Sequence, residues 1–254
     1  MNSSDLYDLS GRVALVTGGG SGMGFAAVMR LADAGAKIAV VDVDLDAAKA
    51  AAELVPDGRA IAIQADVSSE EETTAYVASA VEAFGRIDCF FSNAGILGRP
   101  ARLLESTVDD WHRIMGVNLL GAYLGVREVG RQMVSQEGGS IVVTTSTVGL
   151  RSSPGSPIYG AAKAGAISLV RSAAKDLGPS GVRVNAICPA ATATNFSPAL
   201  RGEDPKRLEM MRSRVPLGRV AEADDMARVA LWLFTDSAAY VSGVVMPVDG
   251  AQEA

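Results

Sequence analysis

The chain has 254 residues, 48 % hydrophobic and 20 % charged, with a formal net charge of −6. That balance suits a globule with a substantial core, and acidity without any Lys/Arg cluster argues against a nucleic-acid partner. One histidine and two cysteines without a C-x-x-C pair leave no zinc set, and no metal is expected.

Cys89 and Cys188 each lie in an apolar run and read as buried core thiols. The N-terminal "MNSSDLYDLSGR" has no positive segment followed by an apolar run, and no stretch is long enough to span a bilayer. No signal peptide, no membrane partner and a cytoplasmic location are therefore expected.

"RVALVT" (12–17) reads as a strand buried on both faces and ends in glycines. Helical spacing follows from Gly22 to Ala34. "KIAVVD" (37–42) is a second strand, "LDAAKAAAEL" a helix, and "RAIAIQAD" (59–66) a third strand. Ser69 and Glu72 have capping-box spacing and open another helix. "IDCFFSNAG" (87–95) is a fourth strand, and a long helix runs from about Val117 to Gln136. Strand "SIVVTTS" (140–146), a helix over about 159–177, strand "VRVNAIC" (182–188), helix "EADDMARVALWLF" and strand "GVVMPVD" complete the chain.

Alternating helices and continuously apolar strands predict an α/β fold, a doubly wound parallel sheet in a single domain over 1–254. One stretch breaks the rhythm. Residues 192–220, rich in Pro, Arg, Met and acids, are expected to form a substrate-lid insertion.

"TGGGSGMG" (17–24) joins the first strand to the first helix. Glycines there let the backbone approach a phosphate, and the helix N-terminus offers unpaired N–H groups. A tight turn is the competing reading. Asp42 ends the second strand, where a carboxylate accepts hydrogen bonds from ribose hydroxyls and repels a 2′-phosphate. No arginine follows it, so NAD is the expected cofactor. Capping of the next helix is the alternative use of Asp42, although Asp44 or Asp46 would also serve.

With these residues in hand, the chain resembles the short-chain dehydrogenase/reductase family over nearly its whole length. "TGGGSGMG" matches T-G-x-x-x-G-x-G through Gly18, Gly22 and Gly24. Asp66 and Val67 match the Asp-Val pair that meets the adenine. "SNAG" (Ser92, Asn93, Ala94, Gly95) matches N-N-A-G. Asn118 occupies the position of the family's catalytic Asn, and Ser146, Tyr159 and Lys163 match Ser…Y-x-x-x-K. "CPAATAT", containing Pro189, Thr192 and Thr194, matches P-G-x-x-x-T with Ala190 replacing Gly.

The resemblance implies a Rossmann sheet in the order 3-2-1-4-5-6-7, a homotetramer, and hydride transfer between a nicotinamide and a secondary alcohol or ketone. It also implies cofactor contacts from Ser21 and Met23 in the glycine loop, from Asn93 to the adenine ribose, and from Thr192 and Thr194 to the carboxamide. Ala190 is expected to be strained only if its φ is positive. Ala251, where the family often has glycine, is expected to matter little.

Oxidising a carbinol needs a base for the hydroxyl proton. Tyr159 serves if its pKa falls, and Lys163, one turn later on the same face, favours the phenolate, as does the oxidised nicotinamide. Lys163 is also expected to bind the nicotinamide ribose. Ser146, at a strand end, is expected to hold the substrate oxygen. The resemblance gives Asn118 a relay water. The bland alternatives are a turn cap for Ser146, a satisfied helix polar for Asn118 and a core aromatic for Tyr159. His112 lies in an ordinary helical pattern and is not favoured as the base.

The substrate pocket is expected from Ile96 and Leu97, Thr147 and Val148, the stretch before Tyr159, and the 192–220 insertion with Met210 and Met211. Arg99 and Arg151 are candidate anion contacts, with solvated surface arginines as the favoured reading. A largely apolar, cyclic alcohol or ketone fits that lining. The rival functions are an acyl-carrier-protein ketoreductase, a non-catalytic NAD-binding regulator, and a sugar-nucleotide epimerase or dehydratase, whose T-G-x-x-G-x-x-G would need glycine where Ser21 stands.

Overall fold

The computed structural model describes residues 6–151, 153–194 and 205–253. The strands are β1 (Val13–Thr17), β2 (Lys37–Asp42), β3 (Ala60–Gln64), β4 (Cys89–Ser92), β5 (Gly139–Thr144), β6 (Val182–Pro189), the two-residue β7 (Thr192–Ala193) and β8 (Ala221–Glu222), and β9 (Val245–Val248). The helices are α1 (Gly22–Asp33), α2 (Leu45–Glu53), α3 (Glu70–Phe84), α4 (Val108–Met115), α5 (Gly121–Ser135), α6 (Thr147–Leu150), α7 (Pro157–Leu177), α8 (Pro205–Arg212) and α9 (Ala223–Phe234).

Among the described residues, seven strands form one sheet in the order β3-β2-β1-β4-β5-β6-β9, every pairing parallel. This is the doubly wound Rossmann order that the family resemblance implies. The seventh strand is β9 because β7 and β8 pair separately.

Alternation along each strand builds two cores. Ala14, Val16, Ile38, Val40 and Phe91 face one side, against Val28 and Leu31 of α1 and Met226 and Leu233 of α9. Leu15, Ala39, Val41, Phe90 and Val143 face the other, against Tyr76 of α3, Val126 and Met133 of α5 and Val170 of α7. Both faces are covered, so the strands read as unbroken apolar runs. Truncating Phe90, fully buried here, to alanine would cost about 3–5 kcal/mol. Cys89 and Cys188 are free and buried, as expected.

Helix boundaries follow local chemistry. Asp44 caps α2 by accepting from the N–H groups of Asp46 and Ala47. Ser69 caps α3 by accepting from Glu72 N–H. The expected capping box is half formed, because Glu72 Oε2 takes Asp66 N–H instead, at 2.8 Å. Pro157 starts α7 two residues before Tyr159; proline suits a first turn, where its missing N–H costs nothing.

The helix expected from about Val117 begins as α5 only at Gly121; its first four expected residues lie in a π-helical turn, Gly116–Leu120, which follows α4 directly. Of the insertion expected over 192–220, residues 195–204 lie outside the described residues. Its described part holds β7 and α8.

Candidate active site

The site lies at the carboxyl ends of the parallel strands, where ligands bind in this architecture. The glycine loop leaves β1 with Gly18 at φ 65° and Gly22 at φ 54°, a conformation that penalises any side chain. A Cβ on Gly24 would lie 1.9 Å from Gly18 O, and one on Gly18 would lie 3.0 Å from Ala94 Cα. Ser21 is the N-cap of α1 and makes no side-chain cap bond, which leaves the first N–H groups of α1 to an anion. Thr194 borders the same loop, 3.5 Å from where a Gly22 Cβ would stand. Met23 is half-buried against the core. A dinucleotide pyrophosphate fits this cradle.

Asp42 closes it. Its Oδ2 accepts from Gly20 N–H at 2.9 Å and its Oδ1 from Asp44 N–H at 3.1 Å. Each oxygen keeps a lone pair for a further donor. The residue after it, Val43, is exposed and uncharged.

Asn93 is held inside the protein. Its Nδ2 donates to Thr17 O and Gly18 O at 3.3 and 3.4 Å, and its Oδ1 accepts from Thr144 Oγ1 at 3.2 Å. Thr17 Oγ1 in turn accepts from the N–H groups of Asn93 and Ala94. The side chain therefore ties β1 to β5. Thr17, the first residue of the glycine motif, carries no role of its own in the sequence reading, and Thr144 is passed over by it; their signal is a polar side chain ending an apolar strand.

Ser146 follows β5 and caps α6, its Oγ accepting from Val148 N–H at 3.2 Å. Tyr159 and Lys163 project from α7 four residues apart. Ser146 and Tyr159 share a side-chain hydrogen bond. Lys163 Nζ stands 5.7 Å from the Tyr159 ring centroid and donates to Thr144 O at 2.9 Å. All three residues are buried. Gly149 lets α6 and α7 meet: a Cβ there would lie 2.8 Å from the Lys163 carbonyl carbon.

Burial dominates the titration of this pair. It pushes the Tyr159 phenol up to about 12, against the opposing Ser146 hydrogen bond. It pulls the Lys163 ammonium down to about 8, with the Cys188 thiol acting in the opposite sense. The expected depression of the tyrosine pKa is not the state of this chain by itself. The ammonium is bonded to a backbone carbonyl, and desolvation of the phenolate is the larger influence.

Asn118 sits in the π-helical turn, a geometry frequent at functional sites. Its Nδ2 donates to Ile96 O at 2.8 Å and Ile114 O at 2.9 Å, and its Oδ1 accepts from Ile96 N–H at 3.3 Å. It thereby fixes the loop after β4, where a Gly95 Cβ would lie 2.9 Å from Asn118 Oδ1 and 3.5 Å from Lys163 Nζ. Asn118, Gly95 and Lys163 are thus brought together.

Asp66 Oδ1 accepts from Ser68 N–H and Oγ, and Val67 packs beneath Gly121. Pro189 ends β6 opposite Val248. Thr192 Oγ1 donates to Ala190 O at 3.0 Å. Ala190 is not among the residues at positive φ, whereas Ala251 is, at φ 71°. The expectation for Ala251 is corrected: the glycine it replaces would relieve a left-handed backbone.

Beside Tyr159 the walls are apolar. Ile114 and Ile158 are buried, with Ile96, Leu97, Met115 and Val148 half-buried around them. Arg99 pairs with Asp110 at 3.3 Å, and Arg151 with Glu253 at 3.2 Å, so neither is a free surface cation. His112 is exposed on α4, away from the set, beside Leu119, Leu120 and Tyr123. A larger cleft of about 840 Å³ opens at the opposite end of the sheet, near Arg12, Arg86, Asp88 and Arg183. It carries none of the Ser/Tyr/Lys/Asn set.

A phosphate cradle, a strand-end carboxylate and a buried Ser/Tyr/Lys constellation define a dinucleotide-dependent α/β enzyme. A family model described as enoyl-(acyl carrier protein) reductase matches residues 18–251. Levodione reductase of Leifsonia aquatica is 40 % identical, covering 99 % of this chain and 98 % of that protein. A crystal structure of levodione reductase superposes with a TM-score of 0.91 at 38 % identity, covering 96 % of this chain and 98 % of that one. The 3-ketoacyl-(acyl-carrier-protein) reductase from Brucella melitensis complexed with NADH has a TM-score of 0.91 at 32 % identity, covering 97 % of this chain and 100 % of that one. NAD+-bound xylitol dehydrogenase has a TM-score of 0.89 at 35 % identity, covering 95 % and 98 %.

The chain belongs to the short-chain dehydrogenase/reductase family and is an oxidoreductase of alcohol and ketone groups. Among the described residues, no helix is long and apolar enough to cross a membrane.

Proposed function

We propose that the protein is an NAD(H)-dependent oxidoreductase that interconverts a secondary alcohol and a ketone on a largely apolar, cyclic substrate. The observation that carries this reading is the buried set Ser146, Tyr159 and Lys163, braced by Asn118. The glycine loop, Asp42, Thr192 and Thr194 would hold the dinucleotide, which supplies the hydride acceptor or donor and, when oxidised, a positive charge beside the phenol.

Ser146 Oγ–H donates to the substrate oxygen and fixes the carbinol against Tyr159. In oxidation Tyr159 Oη takes the hydroxyl proton; in reduction it returns one. Lys163, pulled down to about 8 by burial, stabilises the phenolate when charged and passes the proton outward through the Asn118 region. In the chain by itself, Lys163 included, burial pushes the phenol up to about 12, so the positive charge of the oxidised dinucleotide is needed beside that of Lys163 to make it a base near neutral pH.

Asp42 supports NAD over NADP. Its carboxylate would meet a 2′-phosphate with like charge, and Val43 offers that phosphate no counter-ion. Apolar walls at Ile96, Leu97, Val148 and Ile158 support an apolar substrate. Arg99 and Arg151, paired internally, weaken the case for an acidic carrier protein as substrate donor. A homotetramer is part of the reading, supported by the exposed Trp111, Leu120 and Tyr123 on α4 and its continuation.

Turnover with NADH and with NADPH over a panel of cyclic ketones, with an acyl thioester as control, tests the proposal. NADH-linked reduction of a cyclic ketone is expected. A strong NADPH preference would overturn the role of Asp42, and activity confined to the thioester would overturn the substrate class.

A further inference from the structure

Helix α6 is a single turn, and a single turn has little stability of its own. It starts at the Ser146 cap and runs into Arg151. There the chain is held by a charged clasp: Arg151 Nε stands 3.2 Å from Glu253 Oε2, and Arg151 Nη2 donates to Glu253 O.

Glu253 belongs to a turn built on Asp249. Asp249 Oδ1 accepts from Ala251 N–H at 3.0 Å and Oδ2 from Glu253 N–H at 3.1 Å. Ala251 adopts φ 71° within it, a strained state that persists only where surroundings impose it. The turn also meets the segment after α8. Leu217 N–H donates to Gly250 O at 3.3 Å, and a Cβ on Gly250 would lie 2.6 Å from Val215 Cγ1. Immediately before the turn, Val248 pairs with Pro189. One C-terminal turn therefore joins the end of α6, the Val215–Leu217 stretch and the strand end that leads to Thr192.

We propose that Arg151 and Glu253 are positioning residues for Ser146, fixing α6 by its far end so that the serine hydroxyl holds its place beside Tyr159. The inference rests on the role given to Ser146 above. Arg151 is more than half exposed, 62 % by side chain, so the clasp should weaken with salt.

The test is Arg151→Ala and Glu253→Gln, with the charge swap R151E/E253R. Three readouts are taken: steady-state ketone reduction, NADH affinity by fluorescence, and amide exchange of residues 146–151 by mass spectrometry. The expected result is a fall in kcat of about 2- to 5-fold, the scale of one semi-exposed ion pair. NADH affinity should be unchanged, exchange over 146–151 faster, and both effects partly reversed in the swap, which restores the ion pair but not the donation to the carbonyl of residue 253. Raised salt should bring the wild type toward the single variants.

Wild-type kcat and wild-type exchange in both single variants would overturn the clasp, as would a swap no better than Arg151→Ala in both readouts. Loss of NADH binding in step with kcat would also overturn it, since that marks general damage. Glu253→Gln, nearly isosteric, keeps the test open if Arg151→Ala folds poorly. If the wild type reduces no ketone while exchange still responds, the function falls and the clasp stands.

Discussion

The Lys163 ammonium donates to Thr144 O at 2.9 Å, and the hydroxyl of the same Thr144 donates to Asn93 Oδ1 at 3.2 Å. Asn93 reaches on to Gly18 O. One strand-end threonine therefore joins the Lys163 ammonium to the glycine loop, so the cation and the loop share one anchor.

Burial of that cation gives stability a pH dependence. Lys163 has a pKa near 10.5 when unfolded and about 8 when folded. Between those values the unfolded chain holds more protons, so this group's contribution rises with pH through the window and is least favourable below about 8. In urea titrations, the stability of the wild type minus that of Lys163→Met should climb from pH 7 to pH 10. A flat difference would contradict the burial of the charge.

Gly149 is predicted to be irreplaceable for rate. A methyl there would stand 2.8 Å from the Lys163 carbonyl carbon and 3.0 Å from Ala164 N. Backbone cannot yield cheaply, so α6 must move away from α7 and carry Ser146 with it. Gly149→Ala should cost about 1–3 kcal/mol of stability and lower kcat more than NADH affinity. Stopped-flow turnover with a parallel NADH titration checks this.

Cofactor choice should follow Asp42. Removing its charge and supplying a cation, as in D42A/V43R, should shift the NADH/NADPH ratio of kcat/KM toward NADPH by about tenfold or more, where each tenfold is roughly 1.4 kcal/mol. An unchanged ratio would place the discrimination elsewhere.

Ala251 should be improvable. At φ 71° it carries about 1–2 kcal/mol of left-handed strain, against about 0.5–1 kcal/mol of added chain entropy for glycine. Ala251→Gly should therefore raise Tm slightly. A lowered Tm in calorimetry would refute the strain.

The strands were legible because both faces of the sheet are covered, which wrote "VALVT" and "KIAVVD" as unbroken apolar runs, whereas their order came only from the family resemblance. The Ser146, Tyr159, Lys163 and Asp42 positions were legible because fixed spacings tie them to strand ends and to one helix face. What escaped is what depends on packing at a distance. The π-helical turn around Asn118 has no sequence period of its own. The Gly149 contact exists only once α6 meets α7. Arg151 is solvated as read, 62 % exposed, but its pairing with Glu253, 102 positions away, leaves no mark in the sequence. The titration of Tyr159 depends on burial, which spacing does not report.

The central claim is that Tyr159 moves the proton while other residues hold the cofactor. Tyr159→Phe removes only the hydroxyl, so hydride transfer to a ketone or from a secondary alcohol should fall by about 10²-fold or more while NADH affinity stays near that of the wild type. Full turnover in Tyr159→Phe would contradict the account.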